Sequence, residues 1–232
     1  MEDAKSLTEI VEESKRQHIL DNLHTYIDHT YLKPDATYKD IDKLCSEAAR
    51  YNFASVCVAP VWARHVQSRL RDLGSDVKVC TVIGFPHGNC TTETKVKQIE
   101  ELIGVADEFD VVINIGSIKS GWWSDVDHEI ARMARLGVTI KYIVEVGYLE
   151  GSELHEITLK LAKHGIAYIK TCTGAGPRNV TVDDIKNIKM TNRYGMKIKA
   201  SGGIKTKEFA LQLIEAGADR IGTSSSVSII NE

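Results

Sequence analysis

The feature that most constrains the fold is a regular alternation of short β-branched runs with longer amphipathic stretches. The two kinds of segment repeat at a spacing of roughly 25 residues, which is typical of βα units. The runs that predict strands cover residues 24–30, 54–59, 77–85, 109–116, 139–147, 167–174, 197–203 and 219–225. Eight strands with intervening helices predict an α/β fold, a single closed (β/α)8 barrel.

Amphipathic stretches between these runs predict the helices, for example residues 37–51 and 91–106. In the second stretch, apolar residues recur at helical spacing. The residues expected to face the core there are Val96, Ile99, Leu102, Ile103 and Ala106. Glycines at or after the helical patterns indicate C-terminal caps at Gly137, Gly165, Gly195 and Gly217.

The arrangement of the whole chain favours one domain over residues 1–232, because no Pro/Ser-rich linker or low-complexity tract interrupts the series. Residues 1–22 predict a helical N-terminal extension covering the bottom of the barrel. Within it, residues 6–20 fit a helix whose protein-facing side chains are Leu7, Ile10, Val11 and Ile19. An open doubly wound sheet is the alternative fold, but it usually carries G-x-G-x-x-G after its first strand, where this chain has LKPDAT.

Composition narrows the classes of partner. The formal net charge is −3, which gives no overall attraction to nucleic acid or to anionic membranes. No apolar run approaches the ~18 residues that a membrane span requires. The acidic N-terminus lacks the apolar stretch of a signal peptide, and the five cysteines form no C-x-x-C pair. We therefore expect reduced thiols and a cytoplasmic location.

Two glycine- and serine-rich segments follow the seventh and eighth predicted strands, at residues 201–206 and 222–226. In (β/α)8 enzymes the loops after these strands often hold a phosphate group. Gly202 and Gly203 would allow close backbone approach, and Ser224 and Ser225 would offer hydroxyl and N–H groups. The position of both segments favours an anion site of sugar-phosphate or mononucleotide size over simple turns.

Two lysines interrupt the sixth and seventh predicted strands. Period-two alternation points Lys170 and Lys199 into the barrel from adjacent strands. At ~4 Å and an effective dielectric near 20, their repulsion is about 4 kcal/mol, which would lower the pKa of one amine and make it a nucleophile suited to imine formation. The alternative is that carboxylates pair with both. Asp110 and Asp28 are candidates, although Asp110 could also begin its strand at the barrel bottom.

Seven motifs occur in the order found in one enzyme family: IDHTYLKPDAT, VCVAP, TVIGFPHG, ADEFDVVINIG, IKTCTG, IKASGGIKT and ADRIGTSS. Together they span about Asp28 to Ser226, and the chain resembles the deoxyribose-phosphate aldolases. The resemblance implies a lyase that reversibly cleaves 2-deoxy-D-ribose 5-phosphate to D-glyceraldehyde 3-phosphate and acetaldehyde. It also implies a role in deoxynucleotide and carbohydrate degradation, with no metal and no cofactor.

The resemblance assigns roles to individual residues. It implies that Lys170 forms the Schiff base, that Lys199 perturbs that amine and donates a proton, and that Asp110 relays protons. The residues implied for substrate and phosphate binding are Gly174, Gly202, Gly203, Lys205, Gly222, Ser224 and Ser225. Apart from the resemblance, Asp28 and Cys57 are further candidates near the site, although for Cys57 a buried apolar thiol is the favoured interpretation. The chain departs from the family pattern at Ala59, Cys172, Ala175 and Lys205, none of which removes a required chemical group.

Other functions would need different sets of residues. A metal-dependent enzyme would need converging His, Asp or Glu ligands, and no paired-ligand motif occurs. A sugar-phosphate isomerase or decarboxylase, or a non-catalytic sugar-phosphate sensor, would share the phosphate loops without needing both lysines. The expected partner is a small phosphorylated sugar, with no nucleic acid or membrane. The family suggests a homodimer or homotetramer. For the adjacent Trp122 and Trp123, exposure of one at a subunit contact and ordinary packing against the barrel both stay open.

Overall fold

The structure, a computed structural model, describes residues 7–232 apart from the side chains of residues 7–10 and 12. The described part contains a closed barrel of eight parallel strands in sequential order, which confirms the predicted fold class. The strands are β1 (Ile27–Tyr31), β2 (Ser55–Val58), β3 (Lys78–Ile83), β4 (Glu108–Val112), β5 (Thr139–Ile143), β6 (Tyr168–Lys170), β7 (Lys197–Ser201) and β8 (Arg220–Thr223).

Helices surround this barrel. They are α1 (Leu7–Asp21), α2 (Tyr38–Tyr51), α3 (Ala63–Asp72), α4 (Thr92–Glu100), α5 (Ile115–Lys119), α6 (Trp123–Ala134), α7 (Gly151–Lys163), α8 (Val182–Thr191), α9 (Lys207–Glu215) and α10 (Ser226–Asn231). Short 3-10 turns cover Leu23–Tyr26, Pro60–Trp62 and Val146–Tyr148. The four predicted cap glycines all have positive φ angles, as that role requires. Among the helices described, none has the length and apolar character needed to cross a membrane.

The hydrophobic core lies between the strands and the helices. Outward-facing strand residues such as Val56, Phe109, Ile169 and Ile221 are fully buried against the helical layer. The inward-facing residues alternate with them and include many charged side chains. Alternation thus directs mainly apolar side chains toward the helices and most of the buried charged strand residues into the barrel.

Several predicted strands extend too far at their carboxyl ends. The fourth ends at Val112, because Asn114 caps α5 by accepting a hydrogen bond from the Ser117 N–H. The sixth ends at Lys170. Beyond it, Thr171 still donates its N–H to the Lys199 carbonyl, so backbone pairing continues briefly where the strand geometry has ended. These ends form the loops at the mouth of the barrel.

The predicted helix over residues 91–106 is also too long, since α4 ends at Glu100. Gly104 has a φ of 79°, and the N–H groups of Val105 and Ala106 both donate to the Leu102 carbonyl, which turns the chain toward β4. The prediction that Ile103 faces the core is therefore wrong, because this residue is 50% exposed.

The first helix packs on an outer helix of the barrel. Arg16 of α1 binds Glu208 and Glu215 of α9, and Ile19 packs against the core. Val11, predicted to face the protein, is 45% exposed, since a residue five positions before Arg16 lies about 140° away around the helix. The expectations for Leu7 and Ile10 lie outside the described side chains. Coverage of the barrel bottom by residues 1–22 stays a prediction.

Candidate active site

The inner faces of six strands bring charged side chains into one cluster inside the barrel. Its members are each at most 8% exposed: Asp28, Glu108, Asp110, Lys141, Lys170, Lys199 and Arg220. Strand register places them side by side. Lys170 pairs with Lys199 across β6 and β7, and Asp110 pairs with Lys141 across β4 and β5. The cluster contains four cations and three carboxylates, so its members largely neutralise one another.

Asp110 lies at the centre of this cluster. Its Oδ2 accepts hydrogen bonds from the Nζ atoms of Lys170 and Lys199, both at 2.7 Å. Its Oδ1 lies 3.1 Å from Lys141 Nζ and 3.2 Å from Cys80 Sγ. Asp110 is the third residue of β4 and lies inside the barrel, so the alternative of a strand-start residue at the barrel bottom is wrong.

Asp28 forms the second anionic centre. Its carboxylate lies 2.5 Å from Lys199 Nζ and 2.6 Å from Arg220 Nη1, and it accepts a hydrogen bond from Ser55 Oγ at 2.7 Å. Lys199 therefore lies between two carboxylates. Gly222 leaves room for this lysine, since a Cβ atom there would lie 2.9 Å from Lys199 Cε.

The pKa shifts in the cluster follow from competition between burial and charge. Burial by itself would raise the pKa of Asp110, but the neighbouring ammonium groups, with Lys141 first, hold it well below its usual range. Burial likewise opposes the charge of Lys199. The carboxylates of Asp110 and Asp28 outweigh burial and raise the pKa of Lys199. Lys199 is therefore held as an ammonium in this arrangement.

The expected direct repulsion between Lys170 and Lys199 requires correction. The Asp110 carboxylate bridges the two ammonium groups, so the ion-paired alternative describes this geometry better. The estimate from sequence treated two charges in isolation, whereas five further charged groups share the same interior. The two lysines differ in access, because Lys170 lines an open cleft while the Lys199 side chain is 0% exposed.

Four polar residues of the cluster were missed by the sequence reasoning: Cys80, Glu108, Lys141 and Arg220. Lys141 lies 2.5 Å from Glu108 and 3.1 Å from Asp110. A signal existed, since Lys141 interrupts an apolar strand run in the same way as Lys170. Glu108 and Arg220 also fall on the inward face by period-two alternation.

A cleft of about 570 Å³ opens at the carboxyl ends of the strands, above the charged cluster. It brings Lys170 together with both phosphate-loop candidates. The predicted binding residues lining it are Gly174, Gly202, Gly203, Lys205, Gly222, Ser224 and Ser225. Gly203 has a φ of 75°, which favours glycine, and a Cβ atom there would lie 2.3 Å from Asn179 Cγ unless that side chain moved.

The remaining residues singled out from sequence take distinct positions. Cys57 faces the interior with its Sγ 3.9 Å from Asp110 Oδ2. Cys172 is buried below the cleft, where burial raises the pKa of its thiol to about 12. Ala175 lines the cleft. Of the adjacent tryptophans, Trp122 is 59% exposed, whereas Trp123 packs against the core with Lys160 Nζ 5.7 Å from its ring centroid.

Two sets of buried groups in the described residues are close enough together to share a cation. They are Cys57, Cys80 and Asp110, and Asp28, Cys80 and Glu108. Each carboxylate in these sets already binds a lysine or arginine, so the negative charge that would attract a metal ion is neutralised. This donor set does not fit a metal ion.

Comparison with known proteins relates this chain to aldolases by family model, by sequence and by structure. The model of the DeoC/LacD family aldolases matches residues 23–226. The chain is 47% identical to a deoxyribose-phosphate aldolase of Desulfitobacterium hafniense (strain Y51) over 214 residues, covering 90% of this chain and 97% of the relative. The solved structure of an aldolase called QR15 has a TM-score of 0.85 and 37% identity, covering 90% of this chain and 95% of the other. The tetrameric deoxyribose phosphate aldolase from Aeropyrum pernix has a TM-score of 0.86 and 30% identity, covering 98% of this chain and 97% of that one.

Proposed function

The chain belongs to the DeoC/LacD family of aldolases, and from that premise we propose that it is a deoxyribose-phosphate aldolase. It cleaves 2-deoxy-D-ribose 5-phosphate reversibly to D-glyceraldehyde 3-phosphate and acetaldehyde, through an imine on Lys170. The observation that carries the mechanism is the Asp110 carboxylate, which lies 2.7 Å from both Lys170 and Lys199 beneath a cleft with two phosphate-loop candidates.

Lys170 is the amine that meets the sugar, because it lines the cleft and Lys199 does not. As a neutral amine, Lys170 attacks the aldehyde carbon C1 of the open-chain sugar, and loss of water gives a protonated imine. Before attack, Lys170 gives up a proton to solvent through the cleft that it lines, while the Asp110 carboxylate, in hydrogen-bond contact, orients the amine. Lys199, whose pKa is raised by its two carboxylates, stays an ammonium and supplies positive charge beside the reacting nitrogen.

Carbon–carbon cleavage then follows from the imine. The C3 hydroxyl gives up its proton, the C2–C3 bond breaks, and its electron pair moves into the imine to leave an enamine on Lys170. D-Glyceraldehyde 3-phosphate departs. The enamine takes a proton at C2, and water hydrolyses the resulting imine to acetaldehyde and free Lys170. Asp110 and Lys199 share a hydrogen bond, so the pair can relay these protons in concert, with Lys199 an ammonium again after each step.

The phosphate is held by the loops after β7 and β8. Gly203 and Ser224 both line the cleft, and their N–H groups make no hydrogen bond to other described residues. Lys205 is exposed at the rim and supplies a positive charge. Backbone N–H groups and one lysine form a suitable anion site. An isomerase, a decarboxylase or a sensor would need these loops but not the lysine pair.

An activity assay tests the proposed function. Incubation with 2-deoxy-D-ribose 5-phosphate is expected to release acetaldehyde and D-glyceraldehyde 3-phosphate in equal amounts, measured by coupled dehydrogenase assays. A chelator is expected to leave the rate unchanged, since imine chemistry needs no metal ion. Release of neither product, or a rate abolished by the chelator and restored by a metal salt, would contradict the proposal.

Lys199→Leu should change the pH dependence of imine formation. Removing this ammonium leaves the Asp110 carboxylate less neutralised, so Asp110 stabilises the charged form of Lys170 more strongly. Trapping of acetaldehyde with borohydride is therefore expected to require a higher pH in the variant, by about one unit or more. The yield of labelled protein measured from pH 5 to pH 10 checks this shift. Superimposable profiles for variant and wild type would rule out the role given to Lys199.

Two observations bear on the location and the assembly of this protein. The five cysteines are free thiols, which supports a reducing compartment such as the cytoplasm. The related protein from Aeropyrum pernix is tetrameric. A homodimer or homotetramer of this chain stays a prediction.

A further inference from the structure

A buried hydrogen-bonded chain on the outer face of β1 takes no part in the chemistry described above. His29 is 3% exposed, and its Nε2 lies 2.9 Å from Glu47 Oε2 on α2. Its Nδ1 lies 2.8 Å from Ser226 Oγ, at the start of α10. Ser226 is fully buried, while the Glu47 side chain is 26% exposed. Two polar links at opposite ends of one buried imidazole define its orientation.

The acceptor character of Glu47 assigns the tautomer of His29. A carboxylate only accepts, so Nε2 carries the hydrogen and Nδ1 is left to accept from the Ser226 hydroxyl. Burial favours the neutral ring by lowering the pKa of His29, although Glu47 opposes this effect. Ser226 Oγ also lies 3.2 Å from the Thr223 carbonyl. With His29 in this tautomer, the hydroxyl hydrogen is shared between the Thr223 carbonyl and the closer acceptor, Nδ1.

Thr223, beside this chain on β8, links the two phosphate loops. Thr223 lies opposite His29 in the pairing of β8 with β1. Its hydroxyl donates to the Ile204 carbonyl at 2.7 Å, in the loop after β7, and accepts the Ser225 N–H at 2.9 Å. The spacing between the two loops therefore depends on Thr223, and the position of the second loop depends on Ser226. Backbone N–H groups bind an anion well only when such a framework holds them in place.

We propose that His29 is a positioning residue for the phosphate site, acting through Ser226 on the loop after β8, with Glu47 fixing the imidazole. This inference rests on the proposed function, because it assigns the substrate phosphate to that loop. The ligand chemistry is a phosphate ester held by backbone N–H groups. His29 itself does not touch the substrate.

A matched pair of variants separates the two links. In His29→Gln, the side-chain amide reaches Glu47 but leaves no acceptor beside Ser226. In His29→Asn, the shorter amide oxygen can accept from Ser226 but cannot reach Glu47. Kinetics with 2-deoxy-D-ribose 5-phosphate and with 2-deoxy-D-ribose report on the phosphate alone. We expect His29→Gln to raise KM for the phosphorylated sugar about tenfold, with kcat within about twofold, as the loss of one hydrogen bond predicts.

The preference for the phosphorylated sugar is the decisive quantity. It is the ratio of kcat/KM for the two sugars, and His29→Gln should lower it about tenfold whereas His29→Asn should lower it less than about threefold. Ser226→Ala should match His29→Gln, and the double variant should be no worse than either single variant, because both remove the same link. A purely structural role would lower Tm and reduce activity on both sugars alike. An unchanged preference in His29→Gln and Ser226→Ala therefore overturns the inference.

Failure of the proposed function gives a different result. A wild-type protein that cleaves neither sugar would contradict the aldolase, and the inference would then be decided by calorimetric titration with inorganic phosphate. Weaker binding by about tenfold in His29→Gln, but not in His29→Asn, would support the positioning role. Equal phosphate affinity in all three proteins would overturn it.

Discussion

Lys170→Met is expected to abolish covalent capture of acetaldehyde and to lower kcat for aldol cleavage at least about 10³-fold, because the variant has no amine to form the imine. Lys170 is the cluster lysine that lines the cleft, and methionine fills a similar volume without the charge. Rate assays measure the loss of activity. Borohydride trapping followed by peptide mass mapping measures the label, which should be a single ethyl group on Lys170 in the wild type.

A second lysine on a neighbouring strand provides the control. Lys197 lies on the same inward side of β7 as Lys199 but at the exposed bottom end of the strand. Lys197→Met should keep both the ethyl label and the cleavage rate. Labelling found on Lys199 in the wild type would show that the roles of the two lysines are reversed. Full labelling of Lys170→Met would show that the imine forms elsewhere.

The barrel could be predicted from sequence because its strands have a local signature. Each apolar, β-branched run is long enough to be recognised, and eight of them leave few alternative topologies. The carboxyl ends were less predictable. There the apolar pattern of residues 109–116 continues past Val112, but the Asn114 cap starts a helix instead. A helix cap depends on the local backbone geometry around the capping residue, and the hydrophobic pattern does not specify that geometry.

The lysine pair could also be found from sequence, because a charge inside an apolar strand is unusual and alternation gives its direction. The ionisation state of the two lysines could not be predicted in the same way. The state of Lys199 depends on Asp28 from β1 and Asp110 from β4, and the relative register of these strands is a property of the closed barrel. Electrostatic energy depends on every nearby charge. The balance of two lysine charges alone is therefore not that of the site, where Lys141 and three carboxylates share the interior.

The phosphate loops could be predicted in position but not in the contacts that hold them. Their position after β7 and β8 follows from the order of the strands. The contacts that hold them, such as the bond from Thr223 to the Ile204 carbonyl, join segments that are nineteen residues apart and carry no recognisable motif. His29 falls within the first predicted strand, but its partners on α2 and α10 are set by helix packing, which the strand pattern does not specify.

Lys141→Met is expected to lower the free energy of unfolding by about 3–5 kcal/mol at pH 7, the usual effect of removing one partner from a buried ion pair. Lys141 is 0% exposed and lies 2.5 Å from Glu108, 3.1 Å from Asp110 and 3.5 Å from Asp28. Methionine leaves these carboxylates with less positive charge in a site without solvent. Urea unfolding followed by circular dichroism measures the loss.

The pH dependence of that loss distinguishes charge from packing. A carboxyl whose pKa is lowered in the folded state stabilises the protein above its unfolded pKa, and this stability is lost as the pH falls. Lys141 is the largest favourable cause of the lowered pKa of Asp110. The stability deficit of Lys141→Met should therefore be complete at pH 7 and should narrow below about pH 4, where carboxyls begin to take up protons.

Lys78→Met is the control, because it removes a 56% exposed partner of Glu108 and should lower the free energy of unfolding by less than about 1 kcal/mol. If the stability deficit of Lys141→Met stays constant with pH, the effect comes from lost packing. If it is no larger than that of Lys78→Met, the interior carboxylates are neutralised without Lys141.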